Sequence, residues 1–188
     1  MKSVFLNGVM LCLLLSQTIS AQQYFFTNYS IDDGLSNNSV GYIVKVSQGY
    51  VWAGTQAGLN RLNGYGFTVF KSLAEDSTTL PSNVIYSLLA DHEGNLWIGT
   101  WKGICRYERK KNSFKRYYLC RSQGERISVF ECHDLFEDSK KNIWAGTGSG
   151  LLKYNAQQQC FEQVLEGLPV FEKSSVTSVT EDDDGTLW

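Results

Sequence analysis

The tetrapeptide Trp-x-Gly-Thr recurs at Trp52, Trp97 and Trp144, and a fourth approach to it ends on Trp188. The four tryptophans stand 45, 47 and 44 residues apart. A repeat of this length constrains the fold more than any other feature, because one such unit cannot bury its apolar faces alone and must stack on copies of itself. The agreement runs beyond the tetrapeptide. Gly58, Gly103 and Gly150 follow three residues after each threonine, then come Leu59, Ile104 and Leu151, and two positions later Arg61, Arg106 and Lys153. Six residues before the tryptophan stand Asp91, Asp138 and Asp182, while the first copy has Val46. Three before it stand Gly49, Gly94 and Gly185, with Lys141 in the third copy.

Each unit reads as four short strands separated by turn residues. In the second unit the strands are predicted at Val84 to Ala90, Leu96 to Thr100, Gly103 to Glu108 and Phe114 to Tyr118. The third repeats them at Val129 to Glu137, Ile143 to Thr147, Gly150 to Asn155 and Phe161 to Val164. No segment keeps a helical period. Four strands in 40–50 residues is the pattern of a β-propeller blade, so the fold class is all-β, with units at about 38–72, 82–120, 127–166 and 174–188. Trp52, Trp97, Trp144 and Trp188 are expected to wedge between neighbouring blades, where each buries roughly 150–250 Å². Gly54, Gly99 and Gly146 allow a close approach within the second strand. Thr55, Thr100 and Thr147 complete the structural motif.

The chain opens differently. Lys2, an apolar run from Val4 to Leu15 and the small or polar residues Ser16 to Ala21 have the order of a secretory signal peptide, with cleavage after Ser20 or Ala21. The apolar run is too short to span a bilayer, and Leu11 before Cys12 is too large for a lipoprotein signal. Residues 22–30, with Tyr24-Phe25-Phe26-Thr27, read as a lone strand of the kind that closes a propeller ring. Closed rings need about 4–8 blades. The expectation is therefore an incomplete propeller, three blades and the start of a fourth, whose uncovered sheet faces make the isolated chain associate.

The charge balance is near neutral, 17 basic against 19 acidic residues, with no block of one sign. That argues against nucleic-acid contact. Beyond residue 21 four cysteines remain, Cys105, Cys120, Cys132 and Cys160, none in a Cys-x-x-Cys pair, so neither a zinc site nor another cofactor is expected. Export permits a disulfide. Cys105 and Cys132 fall at apolar strand positions and read as buried free thiols.

The run from Asp91 to Ile104, Asp-x-x-Gly-Asn-Leu-Trp-Ile-Gly-Thr-x-x-Gly-Ile, resembles the two-component regulator propeller repeat. So does the opening Asp32-Asp33-Gly34-Leu35-Ser36-Asn37-Asn38-Ser39-Val40. The resemblance covers residues 24–188. It implies the periplasmic sensor region of a hybrid two-component system of Bacteroidetes. In that family further blades, an immunoglobulin-like domain, a membrane helix and a histidine kinase core follow, often with a receiver and a DNA-binding domain. Some relatives carry a diguanylate cyclase output instead. The resemblance further implies an oligosaccharide or other small-molecule ligand, a tether to the inner membrane through a downstream span, and a parent that can be a homodimer.

Ligands of propellers sit on the face that carries the second-to-third and fourth-to-first connections. Trp101 and Lys102, in one such turn, and Arg121 and Arg126, in a longer connection, are the candidate ligand residues: an indole offers a platform for a sugar ring, and cations bond hydroxyls or carboxylates. Each also reads as ordinary surface structure. His92 and His133 have no nucleophile or metal partner at a telling spacing. Asp91, Asp138 and Asp182 read as turn caps. No catalytic constellation stands out, so the chain is not expected to be an enzyme. The competing classes are a propeller carbohydrate-active enzyme or lyase, which needs convergent catalytic groups, and a protein-interaction scaffold.

Overall fold

Short β-branched and aromatic runs alternate with Gly-, Asn- and Asp-rich turns, and each repeat consequently folds as an antiparallel meander. The computed structural model describes residues 24–47, 49–121, 125–129, 131–164 and 174–188. The first blade comprises β1 (Val40–Lys45), β2 (Val51–Thr55), β3 (Gly58–Leu62) and β4 (Phe67–Phe70). The second comprises β5 (Ile85–Ala90), β6 (Leu96–Thr100), β7 (Gly103–Glu108) and β8 (Ser113–Cys120). A short strand, β9 (Arg126–Ser128), pairs with β8. The third blade comprises β10 (Cys132–Glu137), β11 (Ile143–Thr147), β12 (Gly150–Asn155) and β13 (Cys160–Gln163). A bridge between Glu181 and Leu187 follows. These are the four-stranded blades of a β-propeller.

The hydrophobic core lies in the seams between blades. One buried cluster joins Trp52 and Leu59 of the first blade to Ile98 and Phe114 of the second; the other joins Trp97 and Ile104 to Leu152 and Phe161 of the third. Trp52 and Trp97 are each 1% exposed. The Trp52 ring lies 4.8 Å from Tyr107 in the next blade, and Trp97 lies 4.9 Å from Tyr154. The recurring cation now has its reason. Arg61, Arg106 and Lys153 stand directly across the ladder from Trp52, Trp97 and Trp144. Their charges sit 5.6, 5.6 and 5.1 Å from the indole centres, within cation–π range.

The glycine of the motif answers to the neighbouring blade. A Cβ on Gly99 would come 2.8 Å from Cys132 Sγ and 2.9 Å from its carbonyl oxygen. The threonine hydroxyls tie the following turn: Thr100 Oγ1 donates to the Gly103 carbonyl at 2.8 Å and accepts from Lys102 N at 3.2 Å. Thr55 and Thr147 do the same.

The recurring aspartate is a clamp. Asp91 accepts from Asn95 N at 2.7 Å and from the Trp97 indole at 2.8 Å. Asp138 takes Asn142 N and the Trp144 indole at the same distances. Asp182 holds the Trp188 indole at 2.8 Å, although Trp188 is 76% exposed and wedges into no seam among the described residues. Burial pushes the Asp138 carboxyl up, but donation from Asn142, Trp144 and backbone N–H groups outweighs it, and the group lies below the usual carboxylate value. A carboxyl depressed on folding adds stability that is present above its unfolded value and is lost as pH falls through the depressed one. Acid titration is therefore expected to weaken the fold below about pH 4. Asp138→Asn is expected to lower stability at pH 7 and flatten this dependence, as read from urea unfolding at several pH values.

Two sequence expectations are corrected. Residues 24–30 form no strand, and Tyr24, Phe25 and Phe26 are exposed; the sheet of the first blade runs from β1 to β4 without them. The third blade starts at Cys132, because residues 126–128 double back on the second blade instead of opening the third. Connection 120–128 thus carries strand residues at both ends. The signal segment, residues 1–21, lies outside the described residues. Cys120 and Cys160 form a disulfide, while Cys105 and Cys132 are free and buried. Burial pushes both free thiols well above their ordinary value, so they stay protonated at neutral pH.

Candidate functional site

Each inner strand carries a β-bulge at the same place. The register slips between Val40 and Tyr42, between Ile85 and Ser87, and between Cys132 and Asp134. The extra residues are Gly41, Tyr86 and His133. A bulge re-aims a side chain, and here it brings two neighbouring blades together: the Tyr86 and His133 rings lie 5.7 Å apart. Trp101, in the β6–β7 turn, meets Tyr86 edge-on at 6.1 Å and keeps 43% of its surface exposed.

Glu131 fixes this arrangement. Its N–H donates to the Trp101 carbonyl at 2.9 Å, and its own carbonyl accepts from Gly148 N at 3.1 Å. One residue thus joins the second-to-third turns of two blades. It does so at φ 49°, a left-handed conformation uncommon for a side-chain-bearing residue. Its carboxylate lies 3.8 Å from His133 Nε2. The fourth-to-first connection beside it is also fixed: the Arg116 guanidinium donates to the carbonyls of Asp76, Thr79 and Leu80 at 2.9–3.1 Å.

The four candidate residues do not form one group. Trp101 packs beside the innermost strand. Lys102, next to it and exposed, lines a cavity of about 210 Å³ with Pro81, Tyr118 and Val129. Arg121 and Arg126 stand together on the β8–β9 hairpin, at the outer edge of the second blade. Tyr86 and Glu131 were not singled out by the sequence, and His133 was weighed there only as a histidine without a telling partner. The signal for them is weak: Gly41, Tyr86 and His133 occupy matching repeat positions, but three different residue types hide the bulge. An aromatic, half-exposed platform with a carboxylate and an imidazole beside it can stack on an apolar ring face and bond its hydroxyls. Among the described residues, no three His, Cys, Asp or Glu side chains gather as metal ligands.

The family model for the two component regulator propeller matches residues 34–57 and 79–102. Over 82 residues, 43% of the chain, the sequence is 33% identical to histidine kinase P4 of Formosa agariphila, and the match spans 6% of that protein. The extracellular domain of a hybrid two component system from B. thetaiotaomicron superposes with a TM-score of 0.60 at 26% identity, over 73% of this chain and 18% of that one. Virginiamycin B lyase from Staphylococcus aureus is similar in fold, with a TM-score of 0.54 at 15% identity, over 78% and 46% of the two chains. The chain therefore spans well under two thirds of each of these relatives.

Proposed function

We propose that this chain, whose residues 34–57 and 79–102 match the two-component regulator propeller, is part of the exported, ligand-sensing region of a two-component sensor, with an oligosaccharide or similar small molecule as its signal. The family match and the likeness to an extracellular sensor domain support the sensor role. The Cys120–Cys160 disulfide suits an oxidising compartment. In this reading the blades act with further blades of a longer parent, which carries a membrane tether and a histidine kinase output. The blades themselves bind and do not catalyse. The lyase likeness, at 15% identity, speaks to fold alone.

The observation that carries ligand binding is the bulge-directed cluster of Tyr86, Trp101 and His133. Side chains that only pack are covered, whereas Trp101 is bound on one edge and open on the other. Calorimetric titration of the full chain with a panel of oligosaccharides is expected to find a binder. Trp101→Ala should weaken it about tenfold, a loss of about 1.4 kcal/mol. Affinity unchanged by Trp101→Ala would remove this site from the reading.

A further inference from the structure

The seam between the first and second blades departs from the repeat three times, always at the end opposite the Trp101 face. Val46 replaces the clamping aspartate, and Tyr50 replaces the asparagine that Asp91 and Asp138 hold. The third departure lies on the facing inner strand. At the next two seams a glutamate there accepts from the preceding blade's turn: Glu137 takes His92 N at 2.9 Å and Glu181 takes Ser139 N at 2.6 Å. Ala90 occupies that position at the first seam. Two carboxylates are thus absent from this end of the seam, and a cavity of about 650 Å³ opens beside Val46 and Tyr50.

We propose that this seam is a binding site for a small carboxylate with a flat apolar face, separate from the Trp101 cluster. The lining is cationic. Arg61, Arg109, Lys110 and Lys111 line it with two acids, Glu93 and Glu108, of which Glu108 pairs with Lys111 at 3.1 Å, on a chain whose overall charge is -2. The volume suits a ring-sized ligand. Arg61 is held ready: its guanidinium lies 5.0 Å from the Tyr50 ring and 5.6 Å from Trp52, and donates to the Tyr107 hydroxyl at 2.9 Å. Its Nε is buried and has no partner among the described residues. A guanidinium so fixed offers planar recognition of a carboxylate, and an unsatisfied buried donor favours whatever supplies an acceptor. Tyr50 and Tyr107, both half-buried, give the flat walls. The ligand carboxylate would stand where Glu137 and Glu181 supply one at the following seams.

The test is calorimetric titration of the full chain with D-glucuronate and with benzoate, taking glucose as the neutral control. Binding of at least one acid, none of glucose, and weakening by added salt are expected. Which acid binds separates a sugar from an aromatic source. Arg61→Gln and Ala90→Glu, which installs the carboxylate of the neighbouring seams, should each weaken binding at least tenfold. The exposed pair Lys110→Glu and Lys111→Glu should do so with an unchanged melting temperature, so the test survives misfolding of the buried variants. Failure of both acids to bind, or affinity unmoved in a folded seam variant, overturns the proposal. Loss of acid binding in Trp101→Ala with the seam variants unaffected would also overturn it, by moving the acid to the other face.

Discussion

Truncating Trp97 to alanine is expected to destabilise the protein by about 3–5 kcal/mol, the range for deleting a buried large aromatic side chain. Trp97 is held on every side. Its ring lies 4.9 Å from Tyr117 and Tyr154 and 6.0 Å from Phe161, so two of its three aromatic neighbours belong to the following blade. Arg106 covers it from across the ladder, and its indole donates to buried Asp91. The alanine variant leaves a void in the seam and takes a donor from a carboxylate that has little access to water. Trp97→Phe keeps most of the bulk and loses the donor, so it should cost less, about 1–3 kcal/mol. Trp188→Ala makes the contrast: the same motif position keeps the aspartate bond but is exposed, and the change should cost less than about 1 kcal/mol. Urea unfolding of the three variants measures the series. Equal losses at Trp97 and Trp188 would show that the motif tryptophan works through its aspartate and not by wedging blades apart.

The fold was legible because the repeat states the same packing problem three times. Trp52, Trp97 and Trp144 announce the seam, and Gly99 is small because Cys132 of the next blade passes within reach of a Cβ. Strand limits at Leu96–Thr100 and Ile143–Thr147 follow from turn residues on either side. The recurring Arg61, Arg106 and Lys153 were visible as a pattern, but nothing one-dimensional says that a cation two residues beyond an apolar one lies over an indole on the previous strand. The candidate site was less legible for a related reason. A bulge is a change of register, seen only when the partner strand is known, so Tyr86 and His133 look like ordinary strand residues. Arg121 and Arg126 were drawn into the site because a connection was assumed to arch over the face; the chain uses that stretch to extend β8 and pair it with β9 at the outer edge. Val46, which looks like a lapse in the motif, acquires meaning only beside Tyr50 and Ala90, which the fold brings to one seam.

Breaking the Cys120–Cys160 disulfide is the second change expected to have a large effect, about 2–4 kcal/mol. Neither the cysteine spacing nor the repeat pairs these residues. The fold does: β8 and β13 are the outer strands of adjacent blades, they touch in parallel at Phe161 and Leu119, and the two cysteine Cα atoms are 5.9 Å apart, within disulfide reach. The bond spans 40 residues, enough for the loop closed in the unfolded chain to lose substantial entropy. Its position adds a second effect. Blades splay outward from the central axis, so their outer strands have the least contact to hold them, and a covalent link there opposes hinging of the second and third blades. Dithiothreitol, or the pair Cys120→Ser and Cys160→Ser, should lower the melting temperature, while Cys105→Ser tests a buried packing position. Thiol labelling checks the assignment independently. Among residues 24–188, Cys105 and Cys132 should resist alkylation in the native protein, since both are buried and protonated. Both should react after denaturation, and Cys120 and Cys160 should join them only after reduction. Four labelled thiols in the denatured but unreduced chain would rule the bond out, and the parallel contact between β8 and β13 would then have to hold the outer edge unaided.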